Sequence, residues 1–406
     1  MNSQQTEQAI MKGDRMMNWD SKFAANVKAV PPSGIRKFFD LANTMEGVIS
    51  LGVGEPDYSA PDKVIDACIA SLKAKETSYT SNLGLLELRE EIAKLFHNHY
   101  HVDYDPKKEI IVTVGVSEAI DIAMRSVLNP GDEVLIPDPA YVAYPACVKF
   151  AGGVPVLVPT FEKDDFRLTV EELEKKVTPK TKVLLIGYPN NPTGTVMDRA
   201  SLEAVAAFAK KHDLIVISDE IYCELTYEGK HTCFASLPDM RERTIVLNGF
   251  SKAHAMTGLR IGYLCAPAEA VDMIYKVHQY AILCASVTSQ YGAIAALKYC
   301  DDSVKAMFDE YNARRKMIYK GLQDIGLHVF EPKGAFYIFP DITCTGMDDE
   351  TFSEELLKEE KVGVVPGSCF GEQGRGHVRM SYATSRANIE EALKRMGRFV
   401  AKHKKA

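Results

Sequence analysis

No stretch of this sequence approaches the roughly 20 consecutive apolar residues that cross a bilayer, so no membrane span is expected. The first 30 residues hold Glu7, Asp14 and Asp20 and no apolar core segment, which argues against a secretory signal. No block of basic residues occurs apart from His403-Lys404-Lys405, and 48 Lys and Arg stand against 55 Asp and Glu. A nucleic-acid partner is therefore not expected. No Cys-x-x-Cys pair occurs. The nine cysteines are odd in number and scattered among apolar neighbours, as reduced thiols are, and a cytoplasmic address follows. There is no internal repeat and no low-complexity segment.

What is there is ordinary globular material. The chain has 406 residues, 46% of them hydrophobic and 25% charged, enough for two or three domains with their own cores. Residues 1–30 form a polar arm closed by Pro31-Pro32-Ser33-Gly34. Pro61 opens a helix with Val64, Cys68, Ile69 and Leu72 as its apolar positions, and a second helix carries Leu88, Ile92, Leu95 and Phe96. Short β-branched runs follow at 110–114, 134–136, 154–158, 183–186, 214–217 and 245–247, separated by helical segments such as 117–128 and 198–211. Nearly continuous apolar strands alternating with amphipathic helices predict an α/β fold, with a mostly parallel sheet covered on both faces. Beyond residue 300 the pattern changes to a long helix at 303–323, strands at 334–339 and 377–382, and a closing helix at 386–402. The expectation is a large α/β domain over 50–300, with residues 1–49 and 301–406 giving an N-terminal arm and a smaller α+β domain.

Ligands of open α/β sheets bind beyond the carboxyl ends of the strands, and three such ends carry polar chemistry. The run 182–187 leads into Tyr188-Pro189-Asn190-Asn191-Pro192-Thr193-Gly194, either an ordinary Asn/Pro turn or a stiff loop presenting an amide to a ligand. The run 214–218 ends in Asp219-Glu220-Ile221-Tyr222. A carboxylate there is either a helix N-cap or a buried anion in need of a cationic or hydrogen-bonding partner. The run 244–247 ends in Asn248-Gly249-Phe250-Ser251-Lys252, with Arg260 eight residues on. A desolvated lysine has a lowered pKa and attacks carbonyls, and arginine suits phosphate.

These elements together match pyridoxal phosphate. That cofactor takes an amine for its aldehyde, an anion beside its pyridine nitrogen, donors for its phenolic oxygen, and cations or backbone amides for its phosphate. Lys252, Asp219, Tyr222 with Asn191, and Arg260 supply that set, and the turn Gly115-Val116-Ser117-Glu118 adds a helix N-terminus.

From about Ser33 to residue 400 the chain resembles the class I/II aminotransferases of fold type I. The matching text is Ser33-Gly34-Ile35-Arg36, Gly52-Val53-Gly54-Glu55-Pro56-Asp57, Tyr79-Thr80, Gly84, Leu88-Arg89, the 190–194 loop, Asp219-Glu220-Ile221-Tyr222, Ser251-Lys252, Arg260-Ile261-Gly262 and Arg379-Met380-Ser381. The resemblance implies that Lys252 is the Schiff-base lysine and proton shuttle and that Asp219 keeps the pyridine nitrogen protonated. It implies that Asn191 and Tyr222 contact the phenolic oxygen, that Tyr141 stacks on the ring, and that Val116, Ser117, Ser251 and Arg260 bind phosphate. Tyr79 matches a tyrosine that reaches the neighbouring subunit's phosphate, which implies a homodimer. Arg379 matches the clamp for the substrate α-carboxylate, with the backbone of Gly34 nearby.

Two positions depart from the family pattern: Gly249 stands where some members have a phosphate-binding serine, and Val277-His278-Gln279-Tyr280 lacks the arginine of some aspartate-specific members. In wording the chain is similar to bacterial aromatic, aspartate and N-acetyl-LL-diaminopimelate aminotransferases. The implied activity moves an amino group from an aromatic, acidic or diaminopimelate-like L-amino acid to a 2-oxo acid. Ile35, Arg36, Tyr58, Tyr280 and Phe336 are the candidate shapers of specificity.

The alternatives are a cysteine-S-conjugate β-lyase on the same lysine and aspartate, and a cofactor-binding regulatory domain, for which the 30-residue arm is too short and insufficiently basic. A dinucleotide-binding dehydrogenase fails because Gly52-x-Gly54 lacks a third glycine and a following helix. No metal site is expected, since His97, His99 and His101 come with no Cys or Glu ligand cluster. Gly367-Ser368-Cys369-Phe370-Gly371 resembles a nucleophile elbow in letters but has no following helix signal.

Overall fold

A computed structural model describes residues 17–32, Gly34 and 45–404. Ser33, Ile35 and Arg36 therefore lie outside the described residues. The chain forms two units, Met1–Pro31 and Pro32–Ala406. In the first, a 3-10 turn at Trp19–Lys22 and a helical turn at Ala25–Lys28 are tied by the Lys28–Asp20 ion pair at 2.7 Å.

The second unit is built on a seven-stranded sheet. Its strands are β2 (Ile110–Thr113), β3 (Glu133–Asp138), β4 (Val154–Pro159), β5 (Thr181–Gly187), β6 (Ile215–Asp219), β7 (Thr244–Gly249) and β8 (Gly262–Cys265), with β1 (Ile49–Ser50) lying outside it. Their order is β2-β8-β7-β6-β5-β3-β4, and only β8 runs antiparallel to its neighbours. The α/β reading with a mostly parallel sheet holds. The antiparallel strand β8 was not legible as a strand. It follows β7 after the loop 250–261, which holds a 3-10 turn at Thr257–Leu259 and no crossover helix to carry the chain back for a parallel pairing.

The helices in chain order are α1 (Asp62–Lys73), α2 (Leu86–Tyr100), α3 (Gly115–Val127), α4 (Ala143–Phe150), α5 (Val170–Glu174), α6 (Arg199–Lys211), α7 (Ala268–Ala281), α8 (Val287–Tyr299), α9 (Asp301–Asp324), α10 (Asp349–Glu360) and α11 (Arg386–His403). The strands alternate between two cores because successive side chains point to opposite faces. Val183 and Leu185 join the core under α3 and α7, whereas Leu184 and Ile186 join the core under α6. A third core packs Ile110, Val112 and Val246 against α1, α2 and α8.

On α1 the expectation fails in part. Val64 and Cys68 are buried there, but Ile69 and Leu72 are exposed, together with Ile65.

Around α9 and α11 a separate core forms, with a three-stranded antiparallel sheet in the order β11 (Val365–Pro366), β12 (Val378–Ser381), β9 (Tyr337–Ile338). The strand expected at 334–339 is thus only two residues long, because Ala335 takes a left-handed φ of 56°. β1 pairs in parallel with β10 (Val362–Gly363), and the Ser381 amide donates to the Leu51 carbonyl at 2.6 Å. That pairing carries the segment after β1 to the side of β12, which bears Arg379. Gly367–Phe370 is a 3-10 turn, and His97 sits exposed beside Asp103 at 2.8 Å. Among the described residues no helix is long and apolar enough to cross a membrane.

Candidate active site

The carboxyl ends of β5, β6 and β7 open into a cavity of about 570 Å³. It brings together Val116, Ser117, Tyr141, Asn191, Asp219, Tyr222, Ser251, Lys252, Arg260 and Arg379.

Lys252 rides the loop that follows β7, three residues beyond the strand's last residue, Gly249. Its ammonium donates to the Gly54 carbonyl at 2.6 Å and lies 5.7 Å from the ring centres of both Tyr222 and Phe336. Burial, followed by the Arg379 charge, pushes its pKa down to about 8. Asp219 ends β6. Its Oδ1 accepts the Ile221 N–H at 3.2 Å and its Oδ2 accepts the Tyr144 hydroxyl at 2.8 Å. Burial nevertheless raises its pKa to about 6, against the lowering effect of those two donors. Its bond to the Ile221 amide closes a turn and caps no helix, since the 3-10 turn Cys223–Leu225 has Tyr222 as its N-cap; Asp219 is a buried anion facing the cavity.

In the 189–194 loop the two asparagines divide the work. Asn190 turns inward, its Oδ1 accepting the Thr193 hydroxyl at 3.0 Å, and so stiffens the loop. Asn191 faces the cavity, and its Oδ1 accepts from Arg379 Nη1 at 3.0 Å.

The far wall is the N-terminus of α3. Gly115 has φ +70°, and a Cβ there would stand 2.7 Å from Arg260 Nη2. The arginine fork therefore packs against the first residue of α3, so a fixed cation and a helix N-terminus stand side by side, an arrangement suited to an anion. Glu118 anchors this turn from behind. Its Oε2 accepts the Val114 N–H at 2.5 Å, and its Oε1 meets Nδ1 of the fully buried His278 at 2.6 Å. The other ring nitrogen of His278 meets the Asn82 carbonyl at 2.7 Å.

Arg379 decides the character of the site. It is 3% exposed and sandwiched between the rings of Tyr337 and Phe370, at 4.6 and 4.8 Å. Nη2 donates to the Gly52 carbonyl at 2.6 Å, Nε has no hydrogen-bond partner, and among the described residues no carboxylate pairs with it. A buried guanidinium without its own anion is costly unless a ligand provides one. One cavity thus holds a low-pKa amine, a buried carboxylate, an anion cradle and an uncompensated guanidinium, which fits pyridoxal phosphate together with an amino acid.

The family profile described as aminotransferase class I and II matches residues 46–396. The chain belongs to the class I and II aminotransferases. Over 384 residues this aminotransferase is 48% identical to aromatic-amino-acid aminotransferase 2 of Thermococcus litoralis, covering 93% of this chain and 98% of the relative. It is also 48% identical to an aspartate aminotransferase of Pyrococcus abyssi, covering 92% and 97%. Among solved structures, the aromatic aminotransferase of Pyrococcus horikoshii superposes with a TM-score of 0.86 at 46% identity, covering 91% of this chain and 99% of that one. The protein is a pyridoxal phosphate-dependent aminotransferase acting on amino acids and 2-oxo acids.

Gly34, expected beside the carboxylate clamp, does not line this cavity, and neither does Tyr79, whose expected place is the neighbouring subunit's phosphate. Tyr79 is 82% exposed, and Gly34 is exposed, with Cys369 Sγ 2.8 Å from where its Cβ would be. Of the candidate specificity residues, Tyr58 and Tyr280 are exposed and Phe336 is buried beneath Tyr222. Sequence reading missed Tyr144, the Gly54 carbonyl, Tyr337 and the Glu118–His278 pair. Tyr144 had a signal in its closeness to Tyr141, three residues on and in the first turn of α4; the others depend on segments far apart in the chain.

Proposed function

We propose that this aminotransferase takes its amino group from an aromatic L-amino acid in preference to an acidic one, with Lys252 as the base. The carrying observation is the set of cations around the cavity. Among the described lining residues they are Lys252, Arg260 and Arg379. Lys252 is assigned to the reacting carbon, Arg260 with the α3 N-terminus to a phosphate, and Arg379 to the α-carboxylate. Among the described residues no further lining cation remains for a side-chain carboxylate, whereas Ile120, Tyr141 and Tyr337 offer apolar and aromatic surface.

Bound in this cavity, pyridoxal phosphate supplies an aldehyde that exchanges amines and a ring that withdraws electrons from the α-carbon. Asp219 would hold a proton on the pyridine nitrogen, helped by Tyr144, and Tyr222 and Asn191 would face the phenolic oxygen. Val116, Ser117 and Ser251 would join Arg260 around the phosphate, with Tyr141 against the ring. Burial brings Lys252 closer to releasing its proton than a free lysine is. It can therefore take the α-proton of the substrate and deliver it to the former aldehyde carbon two bonds away, a transfer worth about 10²–10⁴ in rate. Arg379, pre-set by Asn191 and Gly52, fixes the carboxylate and hence which face of the α-carbon meets the lysine.

The same reading covers the assembly and the layout. The apolar stripe Ile65, Ile69 and Leu72 and the exposed Tyr79 support a homodimer in which Tyr79 completes the partner's phosphate site. Residues 50–300 are proposed as the large domain, with 1–49 and 301–406 as arm and small domain.

The test is a panel of amino donors (phenylalanine, tyrosine, aspartate, lysine and N-acetyl-diaminopimelate) against 2-oxoglutarate, run with wild type and Lys252→Ala. Phenylalanine and tyrosine should give the higher kcat/KM, and the variant should lose about three orders of magnitude in turnover. A preference for aspartate would overturn the aromatic assignment, and a fully active variant would overturn the role of Lys252.

A further inference from the structure

Outside the active-site cavity, three chain segments bring unlike ligating groups to one point. Glu162 begins the 3-10 turn Glu162–Asp164 that follows β4, an edge strand of the large sheet. Asp341 is the antiparallel bridge partner of His377 on one side and of His328 on the other. Directly opposed side chains of such pairs share a face at roughly 4.5–5.5 Å between Cβ atoms, so residues distant in sequence are held as neighbours by the backbone. One ligating atom each of Glu162, Asp341 and His377 lies within 4.8 Å of the others.

The state of these groups is unusual for a structural ion pair. His377 Nε2 is buried and has no hydrogen-bond partner, and the buried Glu162 Oε1 meets only His328 Nε2, at 3.2 Å. Glu162 Oε2 stands 3.9 Å from His377 Nε2, too far for a hydrogen bond. On its other ring nitrogen His377 meets the Arg375 carbonyl at 3.2 Å. A carbonyl only accepts, so Nδ1 carries a hydrogen and the second ring nitrogen, Nε2, faces the two carboxylates. A ligating histidine is commonly oriented in this way, by a carbonyl behind it. The ring is fixed by stacking on Phe339 at 5.0 Å with a 6° interplanar angle and by an edge contact with Phe166. Asp341 Oδ1 accepts the Thr343 N–H at 2.6 Å, which orients its carboxylate.

We propose that Glu162, Asp341 and His377 bind one divalent transition-metal cation, with zinc the best-suited occupant. One imidazole and two carboxylates are a borderline-to-hard donor set, which zinc accepts and cuprous or sulfur-seeking ions do not. Bond lengths of about 2.0–2.2 Å place tetrahedral ligands ~3.4 Å apart, so modest carboxylate rotations close the present spacing. A fourth position is left for water or for His328, whose Nε2 lies 3.2 Å from Glu162 Oε1 on the exposed side. None of these residues lines the active-site cavity. The ion would tie the turn after β4 to the segments around β9 and β12, so its role is structural and turnover is independent of it.

The test uses the holoenzyme, free of amino acid so that no chelating substrate is present. Equilibrium dialysis against zinc chloride and zinc-edge X-ray absorption are the readouts. We expect about one zinc per chain with an oxygen and nitrogen shell near 2.0–2.2 Å, and a thermal midpoint raised by zinc. Glu162→Gln and Asp341→Asn should each weaken retention at least tenfold and abolish the thermal shift, with turnover and cofactor absorbance unchanged. No retained zinc, equal retention in folded variants, or a sulfur shell near 2.3 Å would overturn the site, the last by pointing to the cysteines. The wild-type absorption spectrum decides the matter even where a variant fails to fold.

Discussion

Single residues in this protein carry charges that the fold alone does not compensate. Tyr144 is the clearest case, because its hydroxyl supports Asp219 in the ionised form. Tyr144→Phe should move the Asp219 pKa further above about 6, so that less carboxylate is ionised at pH 6–7. Titrating the cofactor-free variant with pyridoxal phosphate should show roughly tenfold weaker binding near pH 6.5, recovering toward pH 8. Asp138 offers a second test away from the cavity. It is 4% exposed, its Oδ1 has no hydrogen-bond partner, and burial raises its pKa to about 6. A raised folded-state value means that its contribution to stability is full below the unfolded carboxylate pKa and is lost as pH rises through about 6. Asp138→Asn should therefore gain on the order of 1–2 kcal/mol in urea melts at pH 8 and nothing at pH 3.5.

At the scale of elements, the junction of β2 with α3 is the most tightly specified. Gly115 combines a left-handed φ of +70° with the Arg260 fork 2.7 Å from the position of its missing Cβ. Gly262 on β8 closes against the same turn, its own Cβ position 2.8 Å from the Gly115 carbonyl carbon. Any side chain at 115 both strains the backbone and displaces the arginine. Gly115→Ala should cost about 1–3 kcal/mol in stability and at least tenfold in cofactor affinity, measured by chemical denaturation and by cofactor titration. β8 itself shows where pattern reading stops. Four residues beginning with a glycine give no period, and their strand character comes wholly from the flanking β2 and β7.

For the whole molecule, the outer face of α1 is the informative surface. The rhythm of the sequence placed Ile69 and Leu72 with Val64 and Cys68, yet the first two face outward. Apolar spacing reports that a face is covered and not which body covers it, and a second copy of the chain covers a face as well as the core does. Ile69→Glu combined with Leu72→Glu should convert a dimer into monomers in light scattering and depress turnover, because Tyr79 would lose the partner site that the proposal gives it. A dimer that persists in the double variant would move the interface elsewhere.

The sequence by itself determined the α/β class, the strand ends that hold chemistry, and the residues Lys252, Asp219, Asn191 and Arg260. Alternating apolar runs and polar strand termini are local patterns, and local patterns survive in one dimension. The closing pair of the small unit was legible for the same reason, with the long helix α9 and the final helix α11 within two residues of their expected ends. The tertiary structure alone decided the antiparallel β8, the support of Asp219 by Tyr144, and the seating of Arg379 between Tyr337 and Phe370. It alone gathered Glu162, Asp341 and His377. Each of these joins segments tens to hundreds of residues apart, and only the pairing of strands and the packing of sheets onto helices brings such groups within the few ångströms at which charge and hydrogen bonding act.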